Sequence, residues 1–411
     1  MGKQKTKKLL ALLTAAALAL SVTLIAPLTA SADPATITVT GAVSISDDAL
    51  GGGEVGFEED SDPNPAYSPH AETGYELQAG DTIIVENGAT LSYIERIKTA
   101  TTIIVEAGGT IQTANNGTVF KVETFYTFSP NTEKTTLTLG NGGWGSGGAG
   151  LEKIVLSGNG GIGMSGNINL ENVAFEVVDE GADVALHLPN NATVGSVDNR
   201  VGVGLVGGLA FSSRDVTIKQ LTNSGSLKIL SRNVFAEEMV NQSTGTISIY
   251  SAEVTPIGVT KLDNKGTINI MYGAELSVEN LTPGNGNTGT INNLGGIGPD
   301  DQINTLTIGG TFTNSGTINV EKDGVVNVKS TLTNAADKTV AIKAGGTVNV
   351  DGTSGAFINR GEVTIAASTS SPAVEAGLLT ISNLGTGSFS NEGTLTNNGE
   401  IEIDSGILLS H

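Results

Sequence analysis

The chain has 411 residues with 42 acidic and 21 basic side chains, which gives a formal net charge of −21 at neutral pH. A protein this acidic repels nucleic acid and anionic membranes, so the sequence excludes both as partners. It contains no cysteine, so disulfide bonds cannot hold the fold, and burial with backbone hydrogen bonding must do so.

The first 32 residues have the pattern of a secretory signal peptide. Four lysines within residues 3–8 precede an apolar run over residues 9–20, and Ala30-Ser31-Ala32 supplies a cleavage site of small residues. No cysteine lies near the cleavage site, so the sequence offers no lipid anchor there. We therefore expect an extracellular protein, secreted or on the cell surface, with no membrane insertion after signal removal. A secreted chain without cysteine is typical of bacteria.

Residues 33–81 precede the regular part of the sequence. Residues 33–40 alternate between apolar and polar side chains and predict a first strand. Residues 46–74 contain a glycine triplet, an acidic run and three prolines, a composition typical of loops. We interpret the segment as a strand followed by an acidic, proline-rich loop or a cap over the first coil.

Residues 82–411 repeat with a period of about 20 to 22 residues. The sequence TIIVE at 82–86 is repeated at 102–106, and TINV at 317–320 corresponds to TVAI at 339–342. One unit cannot bury its apolar face alone, whereas stacked units can. The period predicts an all-β solenoid, a single parallel β-helix with two strands in each coil. We expect loop insertions where the period lapses, near 140–150, 232–244, 282–302 and 366–377.

An asparagine recurs within the motif L-x-N-x-G-T-I and its variants. At a corner of the chain, asparagine tolerates the left-handed backbone region, and stacked asparagine amides can also bond to one another along an axis. We therefore predict a structural role for the recurring residues. They are Asn223, Asn264, Asn314, Asn334 and Asn391.

The G-T-I-x-I and L-x-N-x-G repeats resemble those of bacterial surface proteins, namely autotransporter passengers and filamentous-haemagglutinin-type adhesins. The resemblance covers residues from about 82 to the end, and it implies a right-handed parallel β-helix with an adhesin-like role. The sequence departs from autotransporters because no C-terminal stretch has the alternating strands and aromatic girdles of a membrane barrel.

Catalysis is the main alternative, because β-helices also host polysaccharide lyases and glycosidases. Such chemistry needs acidic residues placed about the scissile bond, and lyases add a base and cationic side chains. Asp300 and Asp301 form the one adjacent acidic pair in a predicted projecting loop, and the five arginines are scattered. We therefore assign no catalytic residues and predict that the protein is not an enzyme.

Metal and cofactor sites are not predicted either. Residues 295–300 partly match a calcium-binding nonapeptide, but that site needs tandem copies, so Asp300 and Asp301 remain weak candidates for incidental calcium binding. The three histidines, His70, His187 and His411, are too widely spaced for a metal cluster. Aromatic side chains could stack on sugar rings, although packing against the solenoid is favoured. They are Trp144, Tyr67, Tyr75, Tyr93, Tyr126, Tyr250 and Tyr272.

The function that these features favour is a non-catalytic scaffold or binding surface. Its expected partners are a host or matrix surface, a glycan, or its own copies joined end to end. The third partner corresponds to a second alternative, the subunit of an extracellular filament, because the sequence ends on the strand-like run 407–409 with no polar cap.

Overall fold

The structure is a computed structural model. It describes residues 23–24, 36–40, 42–45, 57–59, 80–92, 97, 101–106, 109–112, 118–123, 134–139, 151–157, 160–164, 170–177, 183–188, 191–200, 208–211, 216–230, 233–250, 256–279, 286–294, 302–351, 355–370, 373–382, 388–404 and 407–410. Every regular element in these ranges is a β-strand. The same ranges contain no helix with the length and hydropathy needed to cross a membrane.

The first coils are built from short strands, most of which pair in parallel. These strands are β1 (Thr23–Leu24), β2 (Thr36–Val39), β3 (Ala42–Ile45), β4 (Phe57–Glu59), β5 (Thr82–Val85), β6 (Thr90–Ser92), β7 (Thr102–Glu106) and β8 (Thr110–Gln112). Thr36 pairs with Thr82, which pairs with Thr102, so β2 already belongs to the stack. The repeat of 20 residues in this part of the sequence is therefore one coil with two strands. Strand β1 pairs antiparallel with β2 and falls within the predicted signal peptide.

An antiparallel segment interrupts the stack. It involves β9 (Thr118–Glu123), β10 (Lys134–Leu139), β11 (Leu151–Ser157) and β12 (Gly160–Met164). Strand β9 pairs antiparallel with β8 and β12, and β10 does so with β7 and β11. The single parallel series predicted for residues 82–411 is therefore interrupted at these four strands. An alternating pattern indicates which side chains face inward. It does not indicate strand direction, because parallel and antiparallel pairing both satisfy the hydrogen bonds of the backbone.

Regular parallel stacking resumes after β11. Its first part contains β13 (Leu170–Val177), β14 (Asp183–His187), β15 (Thr193–Asn199), β16 (Gly208–Phe211), β17 (Val216–Asn223), β18 (Ser226–Ile229), β19 (Val234–Asn241), β20 (Thr246–Tyr250), β21 (Ile257–Asn264) and β22 (Thr267–Met271). The odd-numbered strands extend a larger sheet of 23 strands, and the even-numbered ones extend a smaller sheet of 16. Each coil here contributes one strand to each sheet.

Strand β19 corrects the predicted loop insertion at 232–244. Residues 234–241 pair in register with β17 and β21, so this stretch is a regular part of the stack. The period lapses because two successive side chains, Glu237 and Glu238, both lie outside the core. In the neighbouring strands, the alternation of buried and outward side chains is interrupted in the same way at residues 219–220 and 260–261. The aligned interruptions mark a bend in the larger sheet.

The C-terminal part has three strands in each coil, which corrects the prediction of two. The strands are β23 (Glu275–Val278), β24 (Gly286–Asn287), β25 (Thr290–Asn293), β26 (Asn304–Ile308), β27 (Phe312–Asn314), β28 (Thr317–Val320), β29 (Gly324–Val328), β30 (Thr331–Asn334), β31 (Thr339–Ile342), β32 (Thr347–Val350), β33 (Ala356–Asn359), β34 (Glu362–Ile365), β35 (Thr369–Ser370), β36 (Ala373–Val374), β37 (Leu378–Ser382), β38 (Ser388–Asn391), β39 (Thr394–Asn397), β40 (Glu400–Asp404) and β41 (Ile407–Ser410). The division begins after β21, because β23 pairs with one end of that strand and β24 with the other. Strands β35 and β36 form a small antiparallel hairpin between β34 and β37.

One continuous apolar core fills the solenoid. Inward positions carry mostly valine, isoleucine and leucine, and Phe357 and Phe389 stack in successive coils with ring centroids 5.2 Å apart. Ile318 pairs in register with Ile291 on one side and Val340 on the other, and all three are buried. Each such side chain contributes about 1.5 to 3 kcal/mol by leaving water. The molecule is therefore a parallel β-helix, as the sequence predicts.

The glycine of the G-T-I motif permits close stacking at one corner. A Cβ on Gly289 would lie 2.0 Å from the carbonyl oxygen of Gly266, and one on Gly316 would lie 2.1 Å from that of Gly289. The same carbonyl groups accept hydrogen bonds from Thr290 and Thr317 of the following coil. No side chain fits between coils that approach this closely, which explains why glycine precedes threonine in these units.

Candidate functional site

The recurring asparagines form a buried ladder along the solenoid. Each Nδ2 donates to the Oδ1 of the asparagine in the next coil at 2.7–2.8 Å, and eight of these bonds link nine residues. Each of the first eight amides also donates to the first carbonyl of the smaller-sheet strand in the next coil. The structural role predicted for the asparagines is confirmed.

Four ladder residues escaped the sequence reasoning. Asn287 and Asn359 both have a glycine two residues later, as in the motif. After the glycine that follows Asn359, however, the sequence has glutamate where the motif has threonine. Asn199 and Asn241 lack the glycine two residues later. A search for any asparagine that ends a strand would have found all four, which are Asn199, Asn241, Asn287 and Asn359.

The residues weighed for catalysis and metal binding are not brought together in the described part of the chain. Asp300 and Asp301 lie outside the described residues, as do His70, His411 and Trp144. His187 lies in β14, and no group of three or more histidine or acidic side chains that could hold a metal occurs among the residues described. The assignments for Asp300 and Asp301 therefore stay predictions.

Charged side chains on the larger sheet are paired across coils. Lys153 contacts Glu176, Lys219 contacts Glu171, and Lys261 contacts Glu238. The hydrogen bond and charge of Lys219 lower the pKa of the Glu171 carboxyl below its ordinary value. At the end of β15, Asp198 raises the pKa of the Arg200 guanidinium by the same two effects. These contacts explain how a stack of coils can carry charge, since opposite signs meet where like signs would repel.

The smaller sheet has a stretch without charge, which we call the neutral face. Two columns of side chains, all on the outward side except that Ala341 is buried, run in register from coil to coil through β20, β22, β25, β28 and β31. None of these ten positions is ionisable. They are Thr246, Ser248, Thr267, Asn269, Thr290, Asn292, Thr317, Asn319, Thr339 and Ala341. Five strands spaced by about 4.8 Å give the face a length of about 19 Å.

The amides on the neutral face bond to one another. Asn292 donates to the Oδ1 of Asn269 at 2.9 Å, and Asn319 donates to the Oδ1 of Asn292 at 2.8 Å. The central amide keeps one N–H and one acceptor lone pair for other partners. These side chains are only partly buried, so they hold donors and acceptors in fixed directions at the surface.

Two tyrosines stack at one edge of the neutral face. Tyr250 is the last residue of β20 and shares the outward side of that strand with Thr246 and Ser248. Tyr272 follows β22, and the two ring centroids lie 5.4 Å apart with an interplanar angle of 25°. Tyr272 is 37 % exposed, which makes it one of the few large hydrophobic side chains at the surface of the described residues.

The backbone of Tyr272 is strained. Its φ of 55° lies in the left-handed region, where the other described residues besides glycine are asparagine or aspartate. A bulky side chain in this region costs roughly 1–2 kcal/mol. In the two equivalent turns further along, only the position of Gly273 has a positive φ, at Asp323 and Gly345, and the residues that correspond to Tyr272 do not. The left-handed conformation of Tyr272 is therefore peculiar to this turn among the three, and it places strain on a bulky residue.

Comparison with known proteins gives no relative. No family model matches the chain, and neither a curated protein nor a solved structure matches it. The fold itself defines the class, which is a parallel β-helix repeat protein.

Proposed function

We propose that this protein is a non-catalytic scaffold or binding surface that acts outside the cell, secreted or on the cell surface in the manner of an adhesin. The neutral face is the observation that carries the proposal. It is a regular, extended surface with polar groups in fixed positions and no charge, on a chain whose net charge is −21. Solenoids commonly bind through extended surfaces of this kind.

Rigidity supports the proposal. The asparagine ladder and the apolar core run through the same coils as the neutral face, so its columns are held from behind by buried contacts. A surface that is ordered before binding loses little conformational entropy when a partner arrives. The signal-like N-terminal pattern supports an extracellular location. The absence of cysteine from the chain supports a bacterial origin.

Chemistry supports a non-catalytic role. Hydrolysis and β-elimination of polysaccharides need a general acid or base near the bond that breaks. The ten positions of the neutral face offer hydroxyl, amide and methyl groups only. Such groups can hold a ligand, but they do not exchange protons readily at neutral pH.

We expect no turnover when the full chain is incubated with pectin, alginate or related polyuronates, with or without calcium. The assay measures new reducing ends and the ultraviolet absorbance of unsaturated uronates, with an authentic pectate lyase as the positive control. Turnover that disappears in the double variant Asp300→Asn, Asp301→Asn would contradict the proposal and establish a polysaccharide-active enzyme.

A further inference from the structure

We propose that the neutral face and the Tyr250–Tyr272 pair together bind a linear, neutral polysaccharide that lies along the solenoid axis. This inference rests on the proposed function, because it names the partner of the binding surface. It is carried by three observations on the described residues, which are the charge pattern, the ordered amides and the aromatic pair with the strained backbone of Tyr272.

The absence of charge on this face selects the kind of glycan. The stacking of coils does not by itself require an uncharged surface, since the larger sheet carries paired charges such as Lys219 with Glu171 and Lys261 with Glu238. An anionic polysaccharide would be repelled by the net charge of −21 and would find no cation on this face. A neutral polymer pays no such penalty, and its hydroxyl groups can bond to threonine and asparagine.

The ordered amides provide bonds suited to sugar hydroxyls. Asn269, Asn292 and Asn319 are fixed by their mutual hydrogen bonds, so their remaining donors and acceptors point in repeating directions. A sugar hydroxyl both donates and accepts, and neighbouring hydroxyls can bond to one amide at two points. Because the columns repeat with the strand spacing of about 4.8 Å, an extended polymer along the axis meets the same groups in each coil.

The aromatic pair provides the apolar contact that sugars also need. The faces of pyranose rings carry C–H groups that pack on aromatic rings, and tyrosine adds a hydroxyl for a hydrogen bond. Tyr272 stacks on Tyr250 and remains partly exposed beside the polar columns. A role in packing alone does not explain why a strained backbone is kept at Tyr272, whereas a binding role does.

Affinity electrophoresis of the full chain in gels that contain hydroxyethyl cellulose or barley β-glucan tests the proposal, with polygalacturonate as the charged comparison. We expect retardation by at least one neutral polymer and none by polygalacturonate. Tyr272→Asn should raise the Kd about tenfold through loss of the ring contact. Its melting temperature should stay within a few degrees of the parent, because relief of backbone strain offsets the lost stacking. Tyr272→Phe should retain binding.

A matched pair of variants locates the site. Asn292→Asp places a charge on the neutral face, and Asn349→Asp places the same charge on the larger sheet, where Asn349 bonds to Asn327 at 3.1 Å. Only Asn292→Asp should weaken binding. Equal losses in both variants, retention of full affinity in Tyr272→Asn, or no binding to either neutral polymer would overturn the inference. The proposed function fails separately, through the appearance of cleavage products.

Discussion

Replacing Asn287 with alanine is expected to lower the free energy of unfolding by about 2 to 5 kcal/mol, because it interrupts the buried ladder. Asn264 loses the acceptor that its Nδ2 contacts at 2.7 Å, and Asn314 loses the donor that contacts its Oδ1 at 2.8 Å. The carbonyl of Thr317 loses a third bond. Asn264 Nδ2 keeps its bond to Thr290, and Asn314 Oδ1 keeps the bond from Gly316. The cost therefore arises from the buried bonds that are not replaced, at about 1 to 3 kcal/mol each. Urea denaturation followed by circular dichroism measures the change.

The control for this variant is Asn292→Ala in the same coil. Asn292 also lies in an asparagine column, but its column faces outward and solvent can replace the lost bonds. We expect a loss below about 1 kcal/mol. If the two variants lose equal stability, burial of the ladder does not contribute to the fold as we describe.

Replacing Ile318 with aspartate is expected to cost about 5 kcal/mol or more and to prevent stable folding of the stack. Ile318 is fully buried between Ile291 and Val340, so the new carboxylate has no cation and no water nearby. The same result is expected for Val348→Asp, since Val348 is buried in β32. Circular dichroism and limited proteolysis of the purified variants report the loss.

Asn319→Asp is the matched control, because it adds the same charge one residue along on the outward side of β28. We expect this variant to fold and to resist protease like the parent chain. A folded Ile318→Asp variant, or an unfolded Asn319→Asp variant, would show that the two faces of this strand are assigned wrongly.

Local patterns predict much of the fold because each coil repeats the same physical solution. Thr82 and Thr102 are in register, as are Thr317 and Thr339, and both pairings follow from sequence offsets alone. The ladder role of Asn264 and Asn314 also follows, since an asparagine before x-Gly at a corner has few other uses.

Other features depend on contacts that a single coil does not contain. The antiparallel entry of β9 and β10 is not visible, because alternation does not encode strand direction. The division of the larger sheet after β21 is equally hidden, since it depends on how two later strands pair with one earlier strand. The sequence predicts a loop over the segment 234–241, because two outward glutamates at a bend break the period.

The candidate site was only partly accessible from sequence. The sequence marks Tyr250 and Tyr272 as residues that could stack on sugars, although it favours packing for them. Their mutual stacking and the positive φ of Tyr272 emerge only when consecutive coils are placed together. No separate sequence motif marks the neutral face. It consists of the G-T-I units, which form a surface only because successive coils are in register.

Disulfide formation between introduced cysteines tests the register of the coils most directly, because the chain has no cysteine of its own. Thr267 and Thr290 are register partners on adjacent strands, so their Cα atoms lie within the distance that a disulfide spans. Asn292 lies two residues further along, roughly 8 Å from Thr267, which is too far. Under mild oxidation, the double variant Thr267→Cys, Thr290→Cys should form an intramolecular disulfide detectable by peptide mass mapping. The variant Thr267→Cys, Asn292→Cys should remain reduced, and the reverse result would contradict the stacking described here.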